Sequence, residues 1–177
     1  STDGHRLAIS EFEAGGAKKG AKTGQPISVI APARILSLIA ANLAGQSHLE
    51  IGFGETHIIF SVARATFYSR LIAEKFPDYG KIIPKASERK IRVDRAAFAE
   101  VLKRVGIFTN ERTSSILFTI KDDRIVVSAE TPEFGEAQDE IAAVVEGDGI
   151  EIPFNVRYIQ DALKAMSGDE VEVALGT

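Results

Sequence analysis

The sequence predicts an α+β fold in which one unit, a strand, a helix and then three strands, recurs about every sixty residues and sets its helices on one face of antiparallel sheets. Three segments align without gaps: VIAPARILSLIAANL from Val29, IRVDRAAFAEVLKRV from Ile91 and IPFNVRYIQDALKAM from Ile152. Counted from Pro32, Asp94 and Asn155, each is apolar at the fourth, seventh, eighth and eleventh positions ahead. In the second copy these are Phe98, Val101, Leu102 and Val105, and in the third Ile159, Ala162, Leu163 and Met166. That spacing is a single stripe along a helix.

Taken in chain order, residues 1–14 (STDGHRLAISEFEA) have no helix before them and read as the closing strand of a preceding unit. Residues 15–24, GGAKKGAKTG, are a loop. The first helix enters through Pro32, which suits a helix entrance but cannot cap by its side chain. Asp94 and Asn155 open the other two, their side-chain oxygens placed to accept from first-turn amides. After the first helix come the β-type runs HLEIGF, HIIFSVA and TFYSRLIA; after the second come SSILFTI, RIVVSAE and AQDEIAAVV. GFGET at 52–56 and KDDR at 121–124 are the hairpin signals between them. The third copy has one further strand, EVEVAL, and its last strands are missing. The polar PKASER segment between units sets a boundary near Pro84 to Arg89, giving domains 1–84 and 85–177.

Composition narrows the function classes. A chain that is 45% hydrophobic and 26% charged is an ordinary globular one. Apolar runs are too short for a membrane span and the start lacks a signal-peptide layout, so a cytoplasmic location is the default expectation. The start at Ser1, inside a strand-like run, reads as a fragment. With no cysteine, thiolate catalysis and cysteine zinc sites are excluded. His5, His48 and His57 have no metal-ligand spacing, no serine has a nucleophile setting, and Asp122–Asp123 fits a hairpin turn better than a metal pair. No catalytic residue, metal or cofactor is expected. The competing reading, a nucleotide-binding protein using the glycine-rich loop 15–24, fails on spacing. Ala21 separates Gly20 from Lys22, and Gln25–Pro26 and a strand follow in place of the helix a phosphate loop needs.

Charge is more informative by position than in total. The net charge of −4 argues against a simple cationic nucleic-acid binder. Yet residues 33–44, 95–106 and 156–166 carry +1, +2 and +1, leaving −8 on the rest of the chain. On the helix faces opposite the apolar stripe stand Arg34 and Ala41, Ala96 and Lys103, Arg157 and Lys164, with no acid among them. For one helix a few exposed cations are commonplace; the same sign at the same place in three copies favours weak, sequence-independent contact with phosphates.

TDGHRLA at 2–8, FPDYGKIIP at 76–84 and FNVRYIQDAL at 154–163 resemble the bacterial DNA polymerase III β subunit family, the sliding clamps, along essentially the whole chain. The resemblance implies a DNA-clamp fold covering the second half of a middle domain and most of a C-terminal domain. It also implies a non-catalytic processivity factor, a homodimeric ring around double-stranded DNA that tethers the replicative polymerase, the clamp loader and other partners. A partner-peptide groove would take Thr2, Gly4, His5, Arg6 and Leu7 from the first motif and Pro77, Lys81 and Ile82 from the second. Its remaining wall belongs to a C-terminal strand this sequence lacks, so an incomplete groove is expected. Arg34 matches a DNA-contacting base, while Ala33 departs from a second one. Lys103, Arg157 and Lys164 join Arg34 on the helix faces. Ile107 and Phe108 match apolar residues of the ring-closing interface, and Glu133 and Glu136 its acids. Without the first domain, no ring is expected from this chain alone.

Overall fold

The computed structural model describes residues 1–11, 27–81, 83, 87–110 and 112–176. They form two compact units, Glu11–Ile82 and a second made of Ser1–Ser10 with Ile83–Thr177.

In the first unit, α1 (Ala33–Asn42) is followed by β1 (Glu50–Phe53), β2 (His57–Val62) and β3 (Ala65–Arg70), an antiparallel sheet in that order. Alternation decides which face of β2 is inside: Ile58, Phe60 and Val62 are buried, the residues between them less so. Pro32 makes no side-chain cap, as its chemistry requires, and its carbonyl accepts from Ile35 N at 3.2 Å. The four-position stripe is only partly used here, since Ile39 is the single buried residue of α1. Ile39, Ile58 and Phe60 form a small core, with Ile35, Leu43 and Phe67 packed at its margin.

The second unit contains two copies of the repeat. Strand β4 (Arg89–Asp94) leads into α2 (Arg95–Gly106), then β5 (Ser115–Lys121), β6 (Arg124–Thr131), β7 (Gly135–Ala142) and the short β8 (Val144–Glu146). The second copy is β9 (Ile150–Asn155), α3 (Val156–Ala165) and β10 (Glu170–Leu175). Both expected caps form: Asp94 Oδ1 accepts from Ala97 N at 2.7 Å, and Asn155 Oδ1 from Arg157 N at 3.0 Å. Helix α2 buries Phe98, Val101, Leu102 and Val105, all four stripe residues. In α3 Leu163 is buried, while Ala162 and Met166 are exposed, so that stripe is narrower than its apolar spacing indicates.

Two antiparallel sheets back these helices, ordered β10-β4-β8 and β7-β6-β5-β9. The run AQDEIAAVV, expected as one strand, is divided between them. Residues to Ala142 pair with β6, Ala143 N bonds to Asp123 O at 2.8 Å in the β5–β6 turn, and Val144–Glu146 turn away to pair with β4. A strand that changes sheets closes the corner of the core, which an alternation pattern cannot reveal. The turn itself, Asp122–Asp123, follows the KDDR expectation, with Lys121 opposite Arg124 and Asp122 at φ 43°. Phe98, Phe118 and Phe154 meet in the core, with ring centroids 5.7 and 4.9 Å apart in sequence.

The N-terminal residues are not a closing strand. Among the described residues they make one isolated bridge, Thr2 with Leu7, and a tight hairpin in which the Ser1 amine bonds to Ala8 O and Ala8 N to Ser1 O. They belong to the second unit, and Arg6 pairs there with Asp161 of α3. The glycine-rich loop and Pro84 lie outside the described residues, as does Ile82.

Candidate partner-docking, DNA-facing and subunit-contact surfaces

The turn Thr2–Leu7 is organised by its own short polar side chains. Asp3 Oδ1 accepts from His5 N and Arg6 N, both at 3.0 Å, and Thr2 Oγ1 accepts from Gly4 N at 3.1 Å. Gly4 sits at φ 89°, a left-handed conformation that disfavours a side chain. The two amide bonds to its carboxylate, with the Arg6 guanidinium beside it, hold Asp3 down at a pKa of about 2.

Arg6 is the connection outward from this turn. Its Nε bonds to Asp3 Oδ2 and its Nη1 to Asp161 Oδ2 on α3, each at 2.9 Å, and its guanidinium carbon lies 4.8 Å from the centre of the Tyr158 ring. His5 stacks on the same ring, with centroids 6.3 Å apart and planes 21° from parallel. Hydrogen bonding to Arg6 and then to Lys164 lowers the Asp161 pKa; bonding to Asp161 and then Asp3 raises that of Arg6. The structure therefore brings Thr2, Gly4, His5, Arg6 and Leu7 into one element and adds Tyr158 and Asp161 to them. Sequence reasoning missed these two as site residues. Their one visible signal was a position three residues apart on the α3 face, within the FNVRYIQDAL motif.

The segment FPDYGKI, the second candidate docking motif, lies in the other unit. Phe76 and Tyr79 meet edge to face, 6.2 Å between centroids, around the turn at Pro77–Asp78, where Tyr79 N bonds to Pro77 O at 2.8 Å. A single 3-10 turn, Tyr79–Lys81, follows, and Lys81 Nζ pairs with Asp78 Oδ2 at 3.1 Å. Phe76 also borders a cleft of about 370 Å³ with Val29, Leu71 and Ile72.

Of the helix-face cations, Arg34 is exposed on α1, Lys103 on α2, and Arg157 and Lys164 on α3. In the second unit α2 and α3 pack together, and a shallow cleft of about 320 Å³ between them is bordered by Arg95, Lys103 and Lys164 with Leu163 at its floor. Lys103 lies 3.9 Å from Glu100 and Lys164 3.2 Å from Asp161, so both cations have an acid one turn back on their own helix.

At the far end of α2 Ile107 is 71% exposed, an unusual state for isoleucine, while Phe108 packs against the core. Ile107 and Phe134 border one cleft, so the α2 end and the β6–β7 hairpin form a continuous surface. Glu133 and Glu136 are exposed on that hairpin and at its exit. Arg104 bonds to Asp139 through Nε and Nη2, each 2.7 Å, tying α2 to β7 and lowering the Asp139 pKa. Among the described residues no three metal-ligating side chains are grouped to hold an ion, and no helix is long and apolar enough to cross a membrane.

Helices bearing spaced cations over antiparallel sheets, in a repeated β-α-β unit, are the build of the DNA-clamp fold, and solved sliding clamps superpose on this chain accordingly. A DnaN sliding clamp from Bartonella birtlesii matches 90% of the chain with a TM-score of 0.81 and 32% identity, using 46% of its own length. A structure of the clamp from that organism bound to griselimycin matches 83% of the chain at a TM-score of 0.78 and 32% identity, using 40% of its own length. The family model for the central domain of the DNA polymerase III β subunit matches residues 1–78, and that for its C-terminal domain residues 80–177. The chain belongs to the DNA polymerase III β subunit family. The beta sliding clamp of Pseudomonas putida is 34% identical over 99% of the chain and 47% of its own length, and that of Treponema pallidum 33% identical over 98% and 46%. The chain thus spans about half the length of the curated relatives it matches.

Proposed function

We propose that this chain serves in a DNA polymerase processivity factor, a non-catalytic, ring-shaped clamp of two subunits in the cytoplasm that encircles duplex DNA without reading its sequence. Residues 1–84 would belong to the middle domain and 85–177 to the C-terminal domain. The observation that carries this reading is the consecutive match of two clamp domain models along one chain. Arg34, Lys103, Arg157 and Lys164, exposed at repeat-related helix positions, support phosphate contact of the weak, mobile kind that sliding requires. Thr2, Gly4, His5, Arg6 and Leu7, with Pro77, Lys81 and Ile82, would dock a hydrophobic peptide of the replicative polymerase, clamp loader or another partner. Ile107 and Phe108 with Glu133 and Glu136 would meet a second subunit, an apolar contact rimmed by charge.

The test uses a protein of the relatives' full length that contains this sequence. It should stay on nicked circular DNA and run off once the circle is linearised; equal retention on both would exclude topological binding. Peptide affinity should fall on Leu7→Asp or Pro77→Ser, and an unchanged affinity would remove the groove assignment.

A further inference from the structure

Tyr158, Asp161 and Lys164 succeed one another at three-residue spacing along α3, and the carboxylate in the middle of them is shared by two cations, Arg6 and Lys164. Asp161 Oδ2 accepts from Arg6 Nη1 at 2.9 Å and its Oδ1 accepts from Lys164 Nζ at 3.2 Å. One cation belongs to the docking turn and the other to the helix face on which phosphate contact is proposed. We propose that Asp161 is a positioning residue shared by these two surfaces, so that occupancy of Lys164 by phosphate tightens its hold on Arg6. The proposal rests on the clamp reading above for the roles of Arg6 and Lys164, but the sharing itself rests only on the geometry.

The physical reason is competition. Two cations around one carboxylate repel each other, so each pair is weaker than it would be alone. When a phosphate draws Lys164 away, Asp161 is left undivided to Arg6, which also keeps Asp3 and the Tyr158 ring. Reciprocity follows from linkage: a partner that pulls Arg6 off Asp161 lets the carboxylate close on Lys164 and mask a phosphate-facing charge. Arg6, Asp161 and Lys164 are all partly exposed, so solvent screens the coupling and keeps it small.

Exchange of the Arg6 guanidinium protons with water, followed by NMR in the isotope-labelled chain, measures the hold directly. Lys164→Gln should slow that exchange about twofold, the size of effect exposed pairs give. Asp161→Asn should speed it by at least as much, Asp161→Glu should restore it in part, and the Ala97 amide held by Asp94 should stay unshifted as a sign that the fold is intact. In the Asp161→Asn background, Lys164→Gln should then have no effect; the same slowing in both backgrounds would overturn a shared carboxylate. A short duplex oligonucleotide should slow Arg6 exchange in the native chain and not in Lys164→Gln. Movement of Arg157 signals with no change at Arg6 would overturn the coupling and leave DNA contact standing. If the duplex moves neither, phosphate contact on α3 fails, and the variant cycle alone still decides whether Asp161 is divided.

Discussion

Val101 of α2 and Ile39 of α1 hold the same place in the repeat and are buried alike, yet three residues earlier the two copies part company. Phe98 is 0% exposed; its counterpart Leu36 is 45% exposed. The sheets repeat the contrast. Phe118 opposite Val127 and Ile120 opposite Ile125 are sealed, while Ile51 opposite Phe60 and Phe53 opposite Ile58 are 47% and 48% exposed. The cause is visible in the pairing. Strand β5 has β9 along its other edge, and Phe154 and α3 come with it, whereas β1 is the edge of its described sheet. One repeat copy makes a helix and a sheet with half a core between them; a second copy closes it. The difference lies in neighbours, because the apolar positions are present in both.

The most direct way to break this comparison is to truncate both members of a pair. Phe98→Ala should cost about 3 to 5 kcal/mol, the loss expected for an aromatic removed from a closed core. Leu36→Ala should cost less than about 1 kcal/mol, since roughly half of its surface already meets solvent. Urea unfolding of the two variants, followed by probes in each unit, measures both. Equal costs would mean that Leu36 is covered in solution.

Hydrogen exchange sharpens the same contrast without substitution. Amides of β6, flanked on both sides and packed under α2, should open only with the whole unit, while those of β2, over a core of three buried residues, should exchange through smaller openings. A protection difference of about tenfold or more between Val127 and Phe60 corresponds to roughly 1.4 kcal/mol of opening free energy. Comparable protection would show that the smaller unit is as cooperative as the larger. Helix entry gives a lesser effect: Asp94→Ala should cost about 1 kcal/mol through the lost bond to Ala97 N, seen as a lower urea midpoint with an unchanged slope.

How far the sequence could be read follows from the same asymmetry. The period, the caps at Asp94 and Asn155 and the buried stripe of α2 were legible because local chemistry and burial agree there. The stripe of α1 was legible as apolar and misleading as buried, since burial depends on what packs against a face. The division of AQDEIAAVV between two sheets was hidden because both halves alternate like one strand; only the partners of Ala142 and Val144 separate them. The Thr2–Leu7 turn was read as part of a strand, although its own Asp3 and Gly4 shape it. Its attachment to Asp161 joins residues 155 apart in sequence, which no local pattern encodes.

The smallest expected effect concerns that turn and is a test of pH. Asp3 is held at about 2 against an ordinary 3.8, foremost by the amides of His5 and Arg6. A depressed folded pKa means the unfolded chain takes up the proton first. The contribution of Asp3 is therefore complete above pH 3.8 and is lost as pH falls through about 2. Asp161, lowered foremost by Arg6, should titrate below its ordinary value, and protonating it removes the negative charge that ties the turn to α3. Because both carboxylates face solvent, global stability should barely register the change. The measurement is the carboxyl carbon shifts of Asp3 and Asp161 against pH, with the His5 and Arg6 amides recorded alongside. Those amides should move with the Asp3 midpoint, and Asp3→Asn should abolish that movement. If Asp3 titrates near 3.8 in the native chain, the turn is open in solution, and the hold of α3 on Arg6 must then come from Asp161 and Tyr158 alone.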